Sequence, residues 1–232
     1  MGVPNHSRPL LLGHRGARLK QFPENSLEAF RHAINTGMDG FEFDLRQTAD
    51  GSLVCVHDAA IGKYIVAECA YGELCNQYLK LGSGGESSIP GLEEVLQEFG
   101  SSAFLDIEIK VTGLEKSVLA LLKQYSPQRY VVSSFLAEVV LDLAEADPDI
   151  PLGFIFDDVI GLRTYGNLPV RYLMPRQDLL SRELVEAFHR DSYKVLTWTV
   201  NRPVDMKRLA GWGVDGLISD DPALLSETMA AF

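Results

Sequence analysis

The chain has 232 residues, 46% of them hydrophobic, and a formal net charge of −11. That suits one barrel-sized domain or two smaller ones, and the acidity argues against non-specific binding to nucleic acid or to an anionic membrane surface. Cys55, Cys69 and Cys75 are odd in number with no Cys-x-x-Cys pair, and Leu10-Leu11-Leu12 is too short for a signal peptide or membrane span; neither a disulfide framework nor a zinc knuckle is indicated, and the chain reads as cytoplasmic.

The elements follow in chain order. Pro9–His14 reads as a buried strand. After a turn at Phe22-Pro23-Glu24, Asn25-Ser26-Leu27-Glu28 opens a helix with a capping-box pattern, and Gly37 ends it. Gly40–Leu45 is the second strand, and Ser52–His57 a short extra strand joined to it through the Asp50-Gly51 turn. Residues 59–89 carry no clear periodic element and end in a glycine- and serine-rich stretch, Gly82 to Ser88, as expected of a small insertion over the mouth of the fold.

Beyond it, strand patterns at Ala103–Ile109, Tyr130–Ser134, Leu152–Phe156, Arg171–Met174, Tyr193–Val200 and Asp215–Ser219 alternate with helical ones. The helices are expected at Leu92–Phe99, Leu114–Tyr125, Ala137–Ala146, Arg182–Arg190, Val204–Ala210 and Pro222–Ala231. The helix after Asp157 is poorly defined. Eight β-then-α units predict a single α/β domain over 1–232, a TIM (β/α)8 barrel, with a doubly wound open sheet as the alternative.

Polar, chemically competent residues fall at the ends of these strands, where parallel α/β proteins build their sites. Side chains alternate along a strand, so Glu42 and Asp44 share one face while Phe41, Phe43 and Leu45 pack on the other. Paired buried carboxylates repel each other, a cost that a divalent cation removes and that ion pairing, with Arg46 on the same face, would also reduce. Asp106, Glu108 and Lys110 share a face in the same way, which brings Glu108 toward Glu42 and Asp44. Three carboxylates with no cysteine nearby make a hard oxygen site for Mg²⁺ or Ca²⁺, with Mn²⁺ a further option. Asp106 lies deeper and reads as a buried partner for a cation.

His14 and His57 stand at strand ends, where a general acid and a general base could flank a scissile bond. Arg15 can bind a phosphate in a bidentate fork and Lys110 can add a point charge. His6, His32 and His189 read as surface residues. Trp198 shares a face with Leu196 and Val200, so it is either core or an apolar wall for a substrate. Asp220 or Asp221 is expected to cap the last helix, with Pro222 in its first turn.

With these residues in hand, the chain resembles the glycerophosphodiester phosphodiesterase family. The matching pieces are His14-Arg15-Gly16, Pro23-Glu24-Asn25-Ser26, Glu42-Phe43-Asp44, Thr48-Ala49-Asp50-Gly51, Val56-His57-Asp58, Ile89 to Val95, Glu108-Ile109-Lys110, Trp198 to Asn201 and Gly213 to Gly216, in family order. The resemblance implies a TIM barrel with a small insertion after the strand ending in His-Asp. It implies metal-dependent hydrolysis of glycerophosphodiesters, the deacylated phospholipids, to glycerol 3-phosphate and an alcohol. By position, Glu42, Asp44 and Glu108 correspond to ligands of one divalent cation, and His14 and His57 to the acid–base pair. Arg15 and Lys110 correspond to phosphate contacts and Trp198 to a wall for the glycerol. Asn25 matches a motif and is also placed to cap a helix.

After His57-Asp58 the family often carries an Arg-Thr-Thr-like stretch, whereas this chain reads Ala59-Ala60-Ile61-Gly62-Lys63-Tyr64. The implied partner is a small molecule, with no nucleic acid and no stable membrane insertion; the oligomeric state is left open. Two rival readings use the same barrel. A lysophospholipase D-type or cyclising phosphodiesterase would need an exposed apolar rim for an acyl chain, which the glycine- and serine-rich end of the insertion does not offer. A non-catalytic phosphodiester-binding barrel would have no need of both histidines and all three carboxylates.

Overall fold

The computed structural model describes residues 8–21, 23–80 and 88–232. In order it contains β1 (Leu10–Gly13), α1 (Leu27–Asn35), β2 (Gly40–Gln47), β3 (Leu53–Cys55), β4 (Ala60–Ile61), β5 (Tyr64–Ile65), α2 (Tyr71–Lys80) and α3 (Leu92–Phe99). There follow β6 (Phe104–Ile109), α4 (Glu115–Tyr125), β7 (Arg129–Ser134), α5 (Ala137–Ala146), β8 (Leu152–Phe156) and α6 (Gly161–Thr164). Last come β9 (Tyr172–Pro175), α7 (Arg182–Arg190), β10 (Lys194–Thr197), α8 (Pro203–Gly211), β11 (Gly216–Ser219) and α9 (Pro222–Ala230).

Eight strands, β1, β2, β6, β7, β8, β9, β10 and β11, pair in parallel in that order, and β11 returns to β1, so the sheet closes into a TIM barrel and is not an open doubly wound sheet. Strand β3 runs antiparallel on β2, as the Asp50-Gly51 turn predicts, and Gly51 takes the left-handed φ of +84° that glycine tolerates.

Alternation along the strands makes two cores. Outward side chains meet the helices: Phe41 stacks on Phe30 of α1 at 4.3 Å between ring centres, and Phe99 of α3 meets Phe41 edge-on at 5.0 Å. Inward, Leu12, Phe104, Val131, Ile155, Tyr172, Met174, Leu196 and Ile218 fill the lumen. Helix α1 starts where the Ser26 side chain accepts the Ala29 N–H, and its chain turns away at Gly37, φ +90°. Ser26, not Asn25, is therefore the cap.

The insertion has more structure than its lack of period predicts. A two-strand hairpin, β4 with β5, leads through a 3-10 turn at Val66–Glu68 into helix α2, and Val54, Val56, Val66, Cys69, Leu74 and Ile89 form a small core beneath them. Two-residue strands carry no readable alternation, which is why the pattern is silent there. The stretch from Gly82 to Ser87 lies outside the described residues. The weak fifth helix is real but short, α6 followed by a 3-10 turn at Tyr165–Asn167. Among the described residues no helix is long and apolar enough to cross a membrane.

Candidate active site

The site begins in the tight turn after β1. A Cβ on Gly13 would lie 1.9 Å from the Gly16 carbonyl oxygen, and Gly16 adopts φ +77° against Ala29 and Phe30. Only glycine fits at either end, and between them His14 and Arg15 are thrust toward the barrel mouth. Arg15 itself is left-handed, φ +51°, and its backbone N–H donates to Glu42 Oε2 at 2.8 Å.

The register of β2 on β6 pairs Glu42 with Asp106 and Asp44 with Glu108, and all four side chains are buried. One oxygen from each of Glu42, Asp44 and Glu108 lies within 4.8 Å of the others, so the parity argument brings the expected three together. Burial pushes Glu42 well above the ordinary carboxylate range, and the neighbouring Asp44 and Glu108 add to it. Burial, with the charge of Asp44, likewise raises Glu108 to about 7. Asp44 goes the other way: burial opposes its charge, but Lys110, Arg15 and the Asn25 amide hold it below its usual value. Lys110 Nζ lies 2.5 Å from Glu108 and 3.3 Å from Asp44, and Arg15 Nε lies 3.3 Å from Asp44.

These cations do not complete the set. Glu42 Oε1 is buried and has no hydrogen-bond partner, in a cluster whose donors are all carboxylate oxygens. An orphaned buried oxygen of that kind fits a hard divalent cation.

Asp106 corrects the expectation of a cation partner. Its Oδ1 accepts the Ser133 hydroxyl at 2.6 Å, Oδ2 has no partner, and burial raises its pKa to about 8, the Ser133 bond only partly offsetting it. It lines the floor of the site as an acid that stays protonated at neutral pH, where no charge needs pairing. Arg46 also departs from its expected pairing with the acids: its Nε donates to the His57 carbonyl at 2.8 Å and fixes that backbone. Asn25, left-handed at φ +58°, ties the loop to β2 by giving Nδ2–H to Asp44 at 2.8 Å and accepting the Asp44 N–H at 3.1 Å.

His14, Arg15, Glu42, His57, Glu108, Lys110 and Trp198 line one cavity of about 290 Å³ with Phe135 and Met174. His14 Nδ1 is 2.6 Å from Asp220 Oδ1, and its Nε2 is 3.8 Å from Glu42. His57 Nδ1 is 2.8 Å from Asp58. Trp198 stands just past β10, half-buried, its indole N–H donating to the Met174 carbonyl at 2.9 Å and its ring edge-on to Phe135 at 5.5 Å, so its free face looks into the cavity. A second cavity of about 270 Å³ shares His57 and is lined by Glu24, Asn25, Asp58, Ala60, Ile61 and Ile89 among others. His189 is tied to Asp215 at 2.9 Å, away from these cavities.

Two residues emerge that sequence reading misassigned or missed. Asp221 alone caps α9, accepting the Leu224 N–H. Asp220 is instead the partner of His14, and Asn201 Nδ2 donates to its other oxygen at 2.7 Å; burial opposes its charge, but the His14 and Asn201 bonds hold it below the usual range. The available signal was its position directly after β11, the same strand-end rule that singles out His14. Phe135, directly after β7, follows the same rule, but an aromatic residue in a loop carries no motif.

Comparison with known proteins places this geometry in company. Residues 14–224 match the model of the glycerophosphoryl diester phosphodiesterase family. A glycerophosphodiester phosphodiesterase of Caldanaerobacter subterraneus subsp. tengcongensis is 33% identical, over 94% of this chain and 96% of the relative. One of Bacillus altitudinis is 30% identical over 91% and 94%. Among solved structures, an Oleispira antarctica phosphodiesterase in complex with the product sn-glycerol-3-phosphate superposes with a TM-score of 0.83 at 24% identity, covering 96% of this chain and 97% of that one.

Proposed function

The chain belongs to the glycerophosphoryl diester phosphodiesterase family, and for its residues we propose the following division of work. The enzyme hydrolyses glycerophosphodiesters to glycerol 3-phosphate and an alcohol. Residues 1–232 act as one barrel domain whose insertion, about 59–89, stands over the mouth.

Glu42, Asp44 and Glu108 hold one divalent cation, Mg²⁺ or Ca²⁺ with Mn²⁺ also suited, since every donor is a carboxylate oxygen. When bound, the ion supplies Lewis acidity toward the phosphate oxygens. Arg15, held by Glu24 and Asp44, and Lys110, held by Asp44 and Glu108, have further N–H groups to offer the phosphodiester and the charge it gathers in the transition state. Trp198 packs on the glycerol carbons.

His14, oriented through Nδ1 by Asp220, removes the proton of the attacking oxygen. His57 gives a proton to the leaving alkoxide, because it alone of the two also borders the second cavity, which then receives the alcohol. Carboxylates and no lysine or arginine line that cavity among the described residues, which suits a neutral or cationic head group. Three cysteines without disulfides, two of them buried, support a reducing, cytoplasmic setting, and the substrates place the enzyme in lipid and glycerol metabolism.

The observation that carries this reading is the cavity where both histidines meet the acids with the orphaned Glu42 oxygen. Purified enzyme should release glycerol 3-phosphate from glycerophosphocholine and glycerophosphoethanolamine, lose that activity on chelation and regain it with Mg²⁺ or Ca²⁺. Undiminished turnover in chelator, or release of free glycerol with a phosphorylated alcohol, would sink it.

A further inference from the structure

Arg18, in the loop after the β1 turn, carries a charge that the division of work above leaves unused. Its backbone N–H donates to the Asp220 carbonyl at 2.9 Å, which ties the loop to the end of β11 at the barrel mouth. From there its side chain lines the same cavity as His14, Arg15 and Trp198. Its Nε donates to Glu24 Oε2 at 2.7 Å, while Arg15 Nη1 donates to Glu24 Oε1 at 2.6 Å, so one carboxylate holds two guanidiniums. Arg18 Nη1 stands 3.8 Å from Asp220 Oδ1, beyond hydrogen-bond reach. Among the described residues no hydrogen bond reaches either of its Nη groups. An exposed Arg–Glu pair is ordinary and contributes little. A guanidinium that lines a phosphate cavity with its Nη groups unengaged is not ordinary.

We propose that Arg18 binds the oxygen that enters the phosphate, in the transition state and in the product. The proposal rests on the roles given above to His14 and His57. In-line displacement brings the water oxygen to phosphorus on the side away from the departing alcohol. The alcohol leaves toward His57 and the second cavity, so water enters beside His14, and Arg18 lines the cavity on that side. The water oxygen bonds to phosphorus and the bond from phosphorus to the alcohol oxygen breaks. One water proton passes to His14, and the alkoxide takes a proton from His57. The phosphomonoester formed has a third terminal oxygen and, above its second pKa of about 6, a second negative charge. Arg15 and Lys110 answer the charge of the diester; the added charge falls to Arg18. His14, by then an imidazolium, is matched by Asp220 at 2.6 Å, which weakens the hold of that carboxylate on Arg18.

Arg18→Gln should lower kcat on glycerophosphocholine about tenfold and leave KM within about twofold. It should also raise the inhibition constant of sn-glycerol 3-phosphate about tenfold, because the lost contact exists only once the entering oxygen is bonding. Arg18→Lys, which keeps the charge, should stay within about threefold of wild type in all three quantities. A raised KM with kcat unchanged would make Arg18 a contact to the diester itself and overturn the proposal. A lowered kcat with a displaced pH–rate profile and unchanged product inhibition would make it a positioning residue, acting on His14 through Asp220. That result would equally overturn it, as would wild-type kinetics in the glutamine variant or a lysine variant just as impaired. A wild-type enzyme inactive on glycerophosphocholine would instead strike the underlying reading.

Discussion

His14 and His57 each present an aspartate to Nδ1, at 2.6 and 2.8 Å, yet the two settings differ in kind. The His14 side chain is 13% exposed and its Asp220 is held by Asn201, whereas the His57 side chain is 34% exposed and its Asp58 79%. A buried hydrogen bond fixes orientation and tautomer; an exposed one is screened and exchanges with water. One histidine is thus built into the barrel wall. The other stands more open to solvent, and Arg46 Nε donates to its carbonyl and holds its backbone.

The largest effect should come from removing either imidazole. His14→Ala and His57→Ala should each cut kcat by about 100- to 10,000-fold, the usual range for general acid–base groups, with unchanged circular dichroism. If one variant keeps most of its activity, only one histidine is catalytic and the pairing collapses. Next, Asp220→Asn should lower kcat by about 10- to 100-fold with little change in KM and should displace the pH–rate profile, as expected of a partner that orients a catalytic group. A purely structural role would leave that profile in place. The smallest effect should be that of Asp58→Asn, about fivefold or less in kcat, because an exposed charge pair contributes little. Equal losses for the two asparagine variants would erase the distinction between buried and open settings.

What was legible in the sequence follows from regular geometry. Strand parity is local, so Glu42 with Asp44, and Glu108 with Lys110, could each be set on one face from spacing, and the register of β2 on β6, with Asp44 beside Glu108, brings the two sets together. Strand ends point to the mouth, so His14 and His57 could be placed. Asp220 was hidden because an aspartate beside Asp221-Pro222 has an equally good local use as a helix cap, and only the closed barrel shows which of the two takes it. Asp106 was misread for a related reason. Parity places it in the lumen but cannot show Ser133 opposite, the hydroxyl that takes the role given to a cation. Phe135 and the insertion hairpin leave no periodic trace at all.

Barrel closure has a consequence for how the enzyme comes into being. Strand β1 pairs with β11, so His14 and Asp220 meet across 206 residues of chain. At ordinary elongation rates the two are made roughly ten to forty seconds apart. Once Glu108 has been made, about halfway through that interval, the nascent chain holds His14, His57 and all three carboxylates but still lacks Asp220. Asp220 therefore reaches His14 only when the last strand docks on the first and closes the barrel.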